Sequence, residues 1–90
     1  MTPVETNFAE NFKNMAKIHE SQIFEYVQSV KEFSITWIAE DGRKIFVQQA
    51  KVTSFHSSGR TMNIECIASG KINKVVRLTV VELNGMEVFK

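Results

Sequence analysis

Hydrophobic residues in the first third of the chain recur at intervals of three and four, which is the spacing of one face of a helix. The stripe consists of Ala9, Phe12, Ala16, His19, Ile23, Tyr26 and Val30. Thr2-Pro3-Val4-Glu5 and Asn7-Phe8-Ala9-Glu10 are two alternative helix start signals, because each has the spacing of a capping box. The pattern predicts a helix from about residue 7 to about residue 30, with a break near Glu20-Ser21 as the alternative to a continuous helix.

The period then changes to two, and short polar turns separate five runs rich in β-branched and aromatic residues. The predicted strands cover residues 33–39, 44–55, 61–68, 73–83 and 86–89. Asp41-Gly42 and Asn84-Gly85 are strong hairpin dipeptides, since both turn residues accept a positive φ. The apolar phase shifts within residues 44–55, which indicates a bend or bulge in that long strand. We therefore expect an α+β fold, in which the N-terminal helix precedes a five-stranded antiparallel meander that closes into a small barrel.

Composition limits the broad class of protein. The chain has 90 residues, of which 43% are hydrophobic and 23% are charged, and these values are typical of one globular domain. We expect a single domain over residues 1–90, with the helix at about 7–30 and the barrel at about 33–90. No apolar run has the length of a membrane span, and residues 1–20 lack the apolar core of a signal peptide. The sequence therefore predicts a cytoplasmic protein that does not enter membranes.

The net charge of +1 conceals an uneven distribution. Residues 1–42 contain three lysines and seven acidic residues, whereas residues 43–81 contain seven basic residues and a single acid, Glu65. A basic segment of this kind can form an anion-binding face. Alternatively, its lysines protect the edges of a small sheet from pairing with other chains, and the acidic segment packs against the basic one.

Residues that might perform catalysis are sparse. Cys66 would need a base, either His19 or His56, and its alternation with Met62, Ile64 and Ala68 predicts a buried small hydrophobe instead. The two histidines and the cysteine have no metal-ligand spacing, and Glu40-Asp41 lies in a predicted turn. Trp37 is expected in the core. The sequence thus predicts no enzyme activity, no metal site, no cofactor and no small-molecule substrate.

Two stretches of the chain resemble the signatures of the Sm-like proteins, which are small SH3-like barrels that bind RNA and assemble into rings. The first stretch comprises Asp41-Gly42-Arg43-Lys44, residues 50–56 and Met62-Asn63-Ile64, and the second comprises residues 83–88. The resemblance covers about half of the chain, from Asp41 to Val88. It implies that the Asn63 amide hydrogen-bonds the edge of a nucleobase and that Asn84-Gly85 lies at the second loop of an RNA pocket.

Two functions follow as hypotheses. The first is a non-catalytic interaction module that binds a protein partner or a second copy of itself, for example by strand addition at an open edge. The alternative is nucleic-acid binding, RNA or DNA, through the basic segment Arg43 to Arg77. In that alternative five basic residues contact phosphates and one amide contacts a base, namely Lys51, Arg60, Lys71, Lys74, Arg77 and Asn63.

Overall fold

The computed structural model describes residues 17–90, which form seven short strands and one short helix. Strand β1 (Lys17–His19) leads through a 3-10 turn (Glu20–Gln22) into helix α1 (Ile23–Ser29). The remaining strands are β2 (Phe33–Ile38), β3 (Lys44–Phe55), β4 (Thr61–Cys66), β5 (Ile72–Val76), β6 (Val80–Leu83) and β7 (Met86–Phe89). A second 3-10 turn, Arg77–Thr79, separates β5 from β6.

These strands form one open mixed sheet in the order β1-β7-β6-β2-β3-β4-β5. The neighbours are antiparallel except at one edge, where β1 runs parallel to β7. The predicted five-stranded meander that closes into a barrel is therefore wrong. Two departures explain the difference: β1 adds a strand beside β7, and the predicted strand at residues 73–83 is divided between β5 and β6.

The division at residues 77–79 has visible side-chain causes. Thr79 Oγ1 donates to the Val76 carbonyl over 2.7 Å, which closes the turn. Arg77 leaves the sheet pattern to contact Glu20 and Phe24. Both faces of residues 73–83 are apolar in sequence, so alternation alone gives no sign of where the strand stops.

The predicted helix over residues 7–30 is also wrong in its described part; residues 7–16 lie outside the described residues. Residues 17–19 are a strand, and the helix begins only at Ile23. A capping box at the 3-10 turn Glu20–Gln22 ends the strand before this helix, because His19 Nδ1 accepts from the Ser21 N–H and Gln22 Oε1 accepts from the His19 N–H, each over 3.1 Å. The break near Glu20-Ser21, stated above as the alternative, is where helical structure starts.

The long third strand has the bounds and the irregularity that the sequence predicts. Strand β3 spans Lys44–Phe55 and shows a register shift against β2 and another, between Val52 and Ser54, against β4. Its first half pairs with β2 and its second half with β4. The sheet bends along β3, since bulges increase local twist and curvature.

One hydrophobic cluster includes residues from all seven strands and from α1. The most fully buried side chains include Ile18 from β1, Ile23 and Val27 from α1, and Ile64 from β4. Trp37 is buried, as the sequence predicts. An open sheet can bring every strand to one core only if it is strongly curved. Within residues 17–90, no helix has both the length and the apolar character needed to cross a membrane.

Candidate interaction surface

Strand β5 is one edge of the sheet. It pairs with β4 from Thr61 opposite Val76 to Glu65 opposite Ile72, and among residues 17–90 it has no second strand neighbour. The turn between the two strands closes when the Gly70 N–H donates to the Cys66 carbonyl over 2.7 Å. Gly70 has a φ of +72°, a region that glycine enters without a steric penalty.

The backbone of β5 directs alternate residues toward the open edge. The Cys66 N–H donates to the Lys71 carbonyl, and the Arg77 N–H donates to the Arg60 carbonyl, each over 2.8 Å. These bonds show that odd-numbered residues face β4, because the hydrogen-bonding direction alternates along an antiparallel strand. The N–H and C=O groups of Ile72 and Lys74 and the N–H of Val76 therefore point away from β4, into the open edge, whereas the Val76 carbonyl accepts from Thr79 Oγ1.

The side chains of the same three residues lie on the outer face of the sheet. Ile72 is 56% exposed and Val76 is 40% exposed, with the exposed Lys74 between them. Leu78, in the following turn, is 53% exposed. We call Ile72, Lys74, Val76 and Leu78 the β5 edge. It combines unpaired backbone groups with apolar side chains, and a single lysine is the charge that interrupts it.

A groove of about 680 Å³ runs beside the β5 edge. One wall is β5 itself, and the other is the end of β2 with the hairpin that joins β2 to β3. Strand β6 pairs with β2 only as far as Trp37, so Ile38 and Ala39 have no strand neighbour on the groove side among the described residues. The residues that line the groove include Trp37, Ile45, Asn73 and Thr79.

The polar end of the groove is held by Asp41 and Arg43. Asp41 Oδ1 accepts the Arg43 backbone N–H over 3.1 Å, and Oδ2 accepts from the guanidinium Nε over 2.6 Å. These hydrogen bonds, the backbone one first, lower the pKa of the Asp41 carboxyl below its ordinary value. The charge of Arg43 is thus already matched by a neighbour two residues away.

Two residues predicted to bind nucleic acid lie on the outer face of β3 and β4. Lys51 Nζ lies 3.8 Å from Glu65 Oε1 on the neighbouring strand, so its charge has a local counterion. The Asn63 side chain donates from Nδ2 to Ser54 Oγ over 3.0 Å. Asn63 is paired with Lys74 across β4 and β5, so the two side chains share one face.

Arg60, Lys71 and Lys74 are exposed, and none of the three has an acidic partner within ion-pair distance among residues 17–90. Arg60 precedes β4 and Lys71 precedes β5, so they lie at opposite ends of the hairpin with Lys74 between them. This hairpin therefore has three positive charges that are uncompensated among the described residues.

Arg77 is placed apart from these residues. Its Nε lies 2.8 Å from Glu20 Oε2, and the two side chains are only 27% and 16% exposed. Neither atom has a hydrogen-bond partner in the described part of the chain, so the contact is an ion pair without hydrogen-bond alignment. The guanidinium also lies 5.5 Å from the centre of the Phe24 ring, which in turn packs on Phe55. Arg77 joins the α1 region to the end of β5 and is not available to a phosphate.

The Asn84-Gly85 turn, which the resemblance assigns to an RNA pocket, is occupied by internal contacts. Asn84 has a φ of +50°, and its N–H donates to the Ser34 carbonyl over 2.8 Å. Its Oδ1 accepts from the Ser34 N–H over 2.9 Å, and its Nδ2 donates to the Tyr26 hydroxyl over 2.7 Å. The Asn84 side chain thus connects the turn to Ser34 in β2 and to Tyr26 in α1 by hydrogen bonds.

Cys66 is partly buried and packs against the core. A hydrogen bond to the Ser69 side chain, followed by one to the Ser69 backbone, lowers the pKa of the Cys66 thiol from its ordinary value. His19 serves the capping box and packs edge-on against Phe89, with ring centres 5.0 Å apart. Across residues 17–90, no three His, Cys, Asp or Glu side chains are grouped to hold a metal ion.

No known family model, curated protein or solved structure matches this chain. The resemblance to the Sm-like proteins therefore remains a prediction from the motifs at residues 41–88.

Sequence reasoning found Lys74 but missed the edge around it. Within the predicted strand at residues 73–83, alternation puts Val76, Leu78 and Val80 on one face, whereas in the structure only Val80 of the three is buried. The available signal was composition: residues 72–81 have more β-branched and leucine residues than one buried face of a small sheet can hold. Some of them had to be exposed.

Proposed function

We propose that this protein is a non-catalytic interaction module that binds another protein chain through the β5 edge. The observation that supports the proposal is the coincidence of unpaired backbone groups on β5 with the exposed side chains of Ile72 and Val76 on that strand and of Leu78 in the following turn. Isolated exposed hydrophobic residues are common on proteins, but a row of them along an open strand is a template for pairing.

Symmetric self-pairing is the less favoured form of this interaction. An antiparallel pair of β5 strands centred on their midpoint would set Lys74 opposite the same residue of the second copy, and directly opposed like charges are destabilising. A different protein is therefore the preferred partner. Five residues of edge bury a small area, so we expect a reversible complex rather than a permanent one. We propose the cytoplasm as its compartment, where a free cysteine such as Cys66 stays reduced.

Sedimentation equilibrium tests the self-association form. The expected result is a monomer mass that does not change with concentration. A mass that rises with concentration, and returns to the monomer value in the Ile72→Ser/Leu78→Ser variant, would show that the partner is a second copy. Phe46→Ser is the matched control, because Phe46 is 60% exposed on β3, away from the β5 edge.

Nucleic-acid binding is the second candidate, and the specific observation in its favour is the three uncompensated charges on one hairpin, at Arg60, Lys71 and Lys74. Three phosphate contacts give a salt dependence with a slope of about −2 to −3 in log K against log salt. Titration of labelled single-stranded RNA and duplex DNA at two salt concentrations measures this slope. Saturable binding that is lost in Lys71→Glu/Lys74→Glu but kept in Lys51→Glu would favour this candidate over protein binding.

A further inference from the structure

The β5 edge and the groove beside it specify what kind of segment can bind there. We infer that the partner contributes one extended segment that adds to β5 as an antiparallel strand and carries an acidic residue between two apolar residues, in the pattern apolar-x-acid-x-apolar. This inference rests on the proposed protein-binding function and deepens it by naming the site and the chemistry of its occupant.

The hydrogen-bonding direction of β5 fixes the register. Since the N–H and C=O groups of Lys74 point into the open edge, the residue opposite Lys74 would exchange both backbone hydrogen bonds with it. In an antiparallel pair, directly opposite residues have their side chains on the same face. The side chain of that partner residue therefore lies beside the Lys74 ammonium group on the outer face of the sheet.

Charge selects an acid at this position. Lys74 has no acidic partner among residues 17–90, and Lys71 and Arg60 add uncompensated positive charge at the two ends of the hairpin. Ile72 and Val76, two residues to either side, are 56% and 40% exposed and need apolar neighbours. Partner residues two before and two after the acid lie opposite them, because side chains return to the same face every second residue.

The groove supplies space for the other face of the added strand. Residues one before and one after the acid would point inward, toward the gap between β5 and the end of β2, where Trp37, Ile45 and Asn73 line the groove. The hydrogen-bonding direction along β2 supports a second contact, between the added strand and the end of β2. The Ala39 N–H donates to the Arg43 carbonyl, so the N–H of Ile38 points away from β3 and toward the groove. The added strand thus has polar backbone groups on both sides.

Selection from a random ten-residue peptide display library on the immobilised full chain tests this inference. We expect the selected peptides to share an Asp or Glu with apolar residues two positions before and after it. The Lys74→Glu variant should select Lys or Arg at the same position, with the flanking apolar residues retained. Synthetic peptides of the selected sequence should lose at least tenfold in affinity when the backbone nitrogen of the acid is methylated, since that N–H donates to Lys74.

Val76→Pro is the protein-side counterpart, and Val76→Ala is its matched control. Val76 has a φ of −82°, close to the value proline imposes, and its N–H points into the open edge, so proline removes no bond to β4. We expect Val76→Pro to keep the native circular dichroism spectrum and lose peptide binding at least tenfold. Val76→Ala removes similar side-chain bulk without removing the N–H and should lose less than threefold.

The outcomes separate the inference from the function on which it rests. Peptides that bind wild type, Lys74→Glu and Val76→Pro equally would overturn strand addition at β5 and leave protein binding at another surface. Failure to select any peptide would overturn both. The sequence Phe8-Ala9-Glu10-Asn11-Phe12 contains the pattern, so a synthetic peptide of residues 4–16 is the second probe. Binding of this peptide that is lost in Val76→Pro would support strand addition at β5 and identify residues 8–12 of this chain as a segment that fits the site.

Discussion

Removal of one partner from the ion pair between Glu20 and Arg77 is predicted to destabilise the fold. The pair joins the turn before α1 to the turn after β5, and its two side chains are 16% and 27% exposed. The change we would make is Glu20→Gln, which keeps the side-chain shape and removes the charge. Arg77 would then be a largely buried cation beside Phe24 with no counterion.

The expected cost can be worked from this geometry. Removal of one partner from a fully buried pair costs about 3–5 kcal/mol, whereas exposed pairs contribute about 0–1 kcal/mol. Partial exposure and the lack of hydrogen-bond alignment place this pair between the two limits. We expect Glu20→Gln to lower the free energy of unfolding by about 2 kcal/mol. Arg77→Met leaves Glu20 as the unpaired charge and should cost a similar amount, about 2 kcal/mol.

A double-mutant cycle measures whether the two side chains act as a pair. The Glu20→Gln/Arg77→Met variant has no unpaired buried charge, so it should cost less than either single change and far less than the sum of the two single effects. Urea denaturation can be followed by the fluorescence of Trp37, which is the only tryptophan in the sequence and is buried. With a slope near 1 kcal/mol per molar urea, each single variant should shift the midpoint by about 2 M.

Lys51 and Glu65 provide the matched control. Their charged atoms are 3.8 Å apart and their side chains are 50% and 31% exposed, so Glu65→Gln should cost no more than about 0.5 kcal/mol. The reasoning would be refuted if Glu20→Gln cost as little as Glu65→Gln, or if the two changes at Glu20 and Arg77 were additive. Either result would mean that water reaches the Glu20–Arg77 contact and screens it.

Three further predictions concern single side chains. Asn84→Gly keeps the positive φ but removes the side-chain hydrogen bonds to Ser34 and Tyr26. It should lower the free energy of unfolding by about 1–2 kcal/mol in the same urea assay. An unchanged free energy would mean that water replaces these hydrogen bonds. The Asp41 carboxyl should titrate below the ordinary aspartate range in NMR, and its pKa should move back toward that range in Arg43→Ala. Because folding lowers this pKa, the carboxylate stabilises the fold above the ordinary aspartate pKa. That stabilisation is lost as the pH falls through the pKa of Asp41 in the folded protein. Cys66 should react with iodoacetamide at neutral pH faster than in the Ser69→Ala variant, since the Ser69 hydroxyl lowers the thiol pKa, and equal rates would contradict that role.

The sequence predicts the local elements of this fold better than their assembly. The hairpin signals at Asp41-Gly42 and Asn84-Gly85 place β2, β3 and β7 close to their observed bounds, because a two-residue turn needs specific residue types at known positions. The break at Arg77–Thr79 depends on Glu20 and Phe24, which lie more than fifty residues earlier in the chain. The local sequence around residues 77–79 therefore cannot predict this break.

The candidate site shows the same division. Lys74 and Lys71 can be recognised from the charge distribution, and the structure leaves both without a counterion among the described residues. In the sequence, Lys51 and Arg77 cannot be distinguished from Lys71 and Lys74 as candidate anion-binding residues. In the structure, the register of β3 with β4 brings Glu65 near Lys51, and the position of the Glu20 turn brings Glu20 near Arg77. Counting charges along a chain cannot separate free cations from paired ones.

The parallel pairing of β1 with β7 affects the order in which the chain can fold during synthesis. Ile18 lies beside Val88, so two segments seventy residues apart in sequence form one ladder. Until the ribosome has released residues 86–89, β1 has no strand to join, and the apolar side chain of Ile18 stays without its native neighbours. Contacts of such long sequence separation slow folding, because the entropy of closing the loop is lost before the contact is gained. We therefore expect β1 to join the sheet among the last steps of folding.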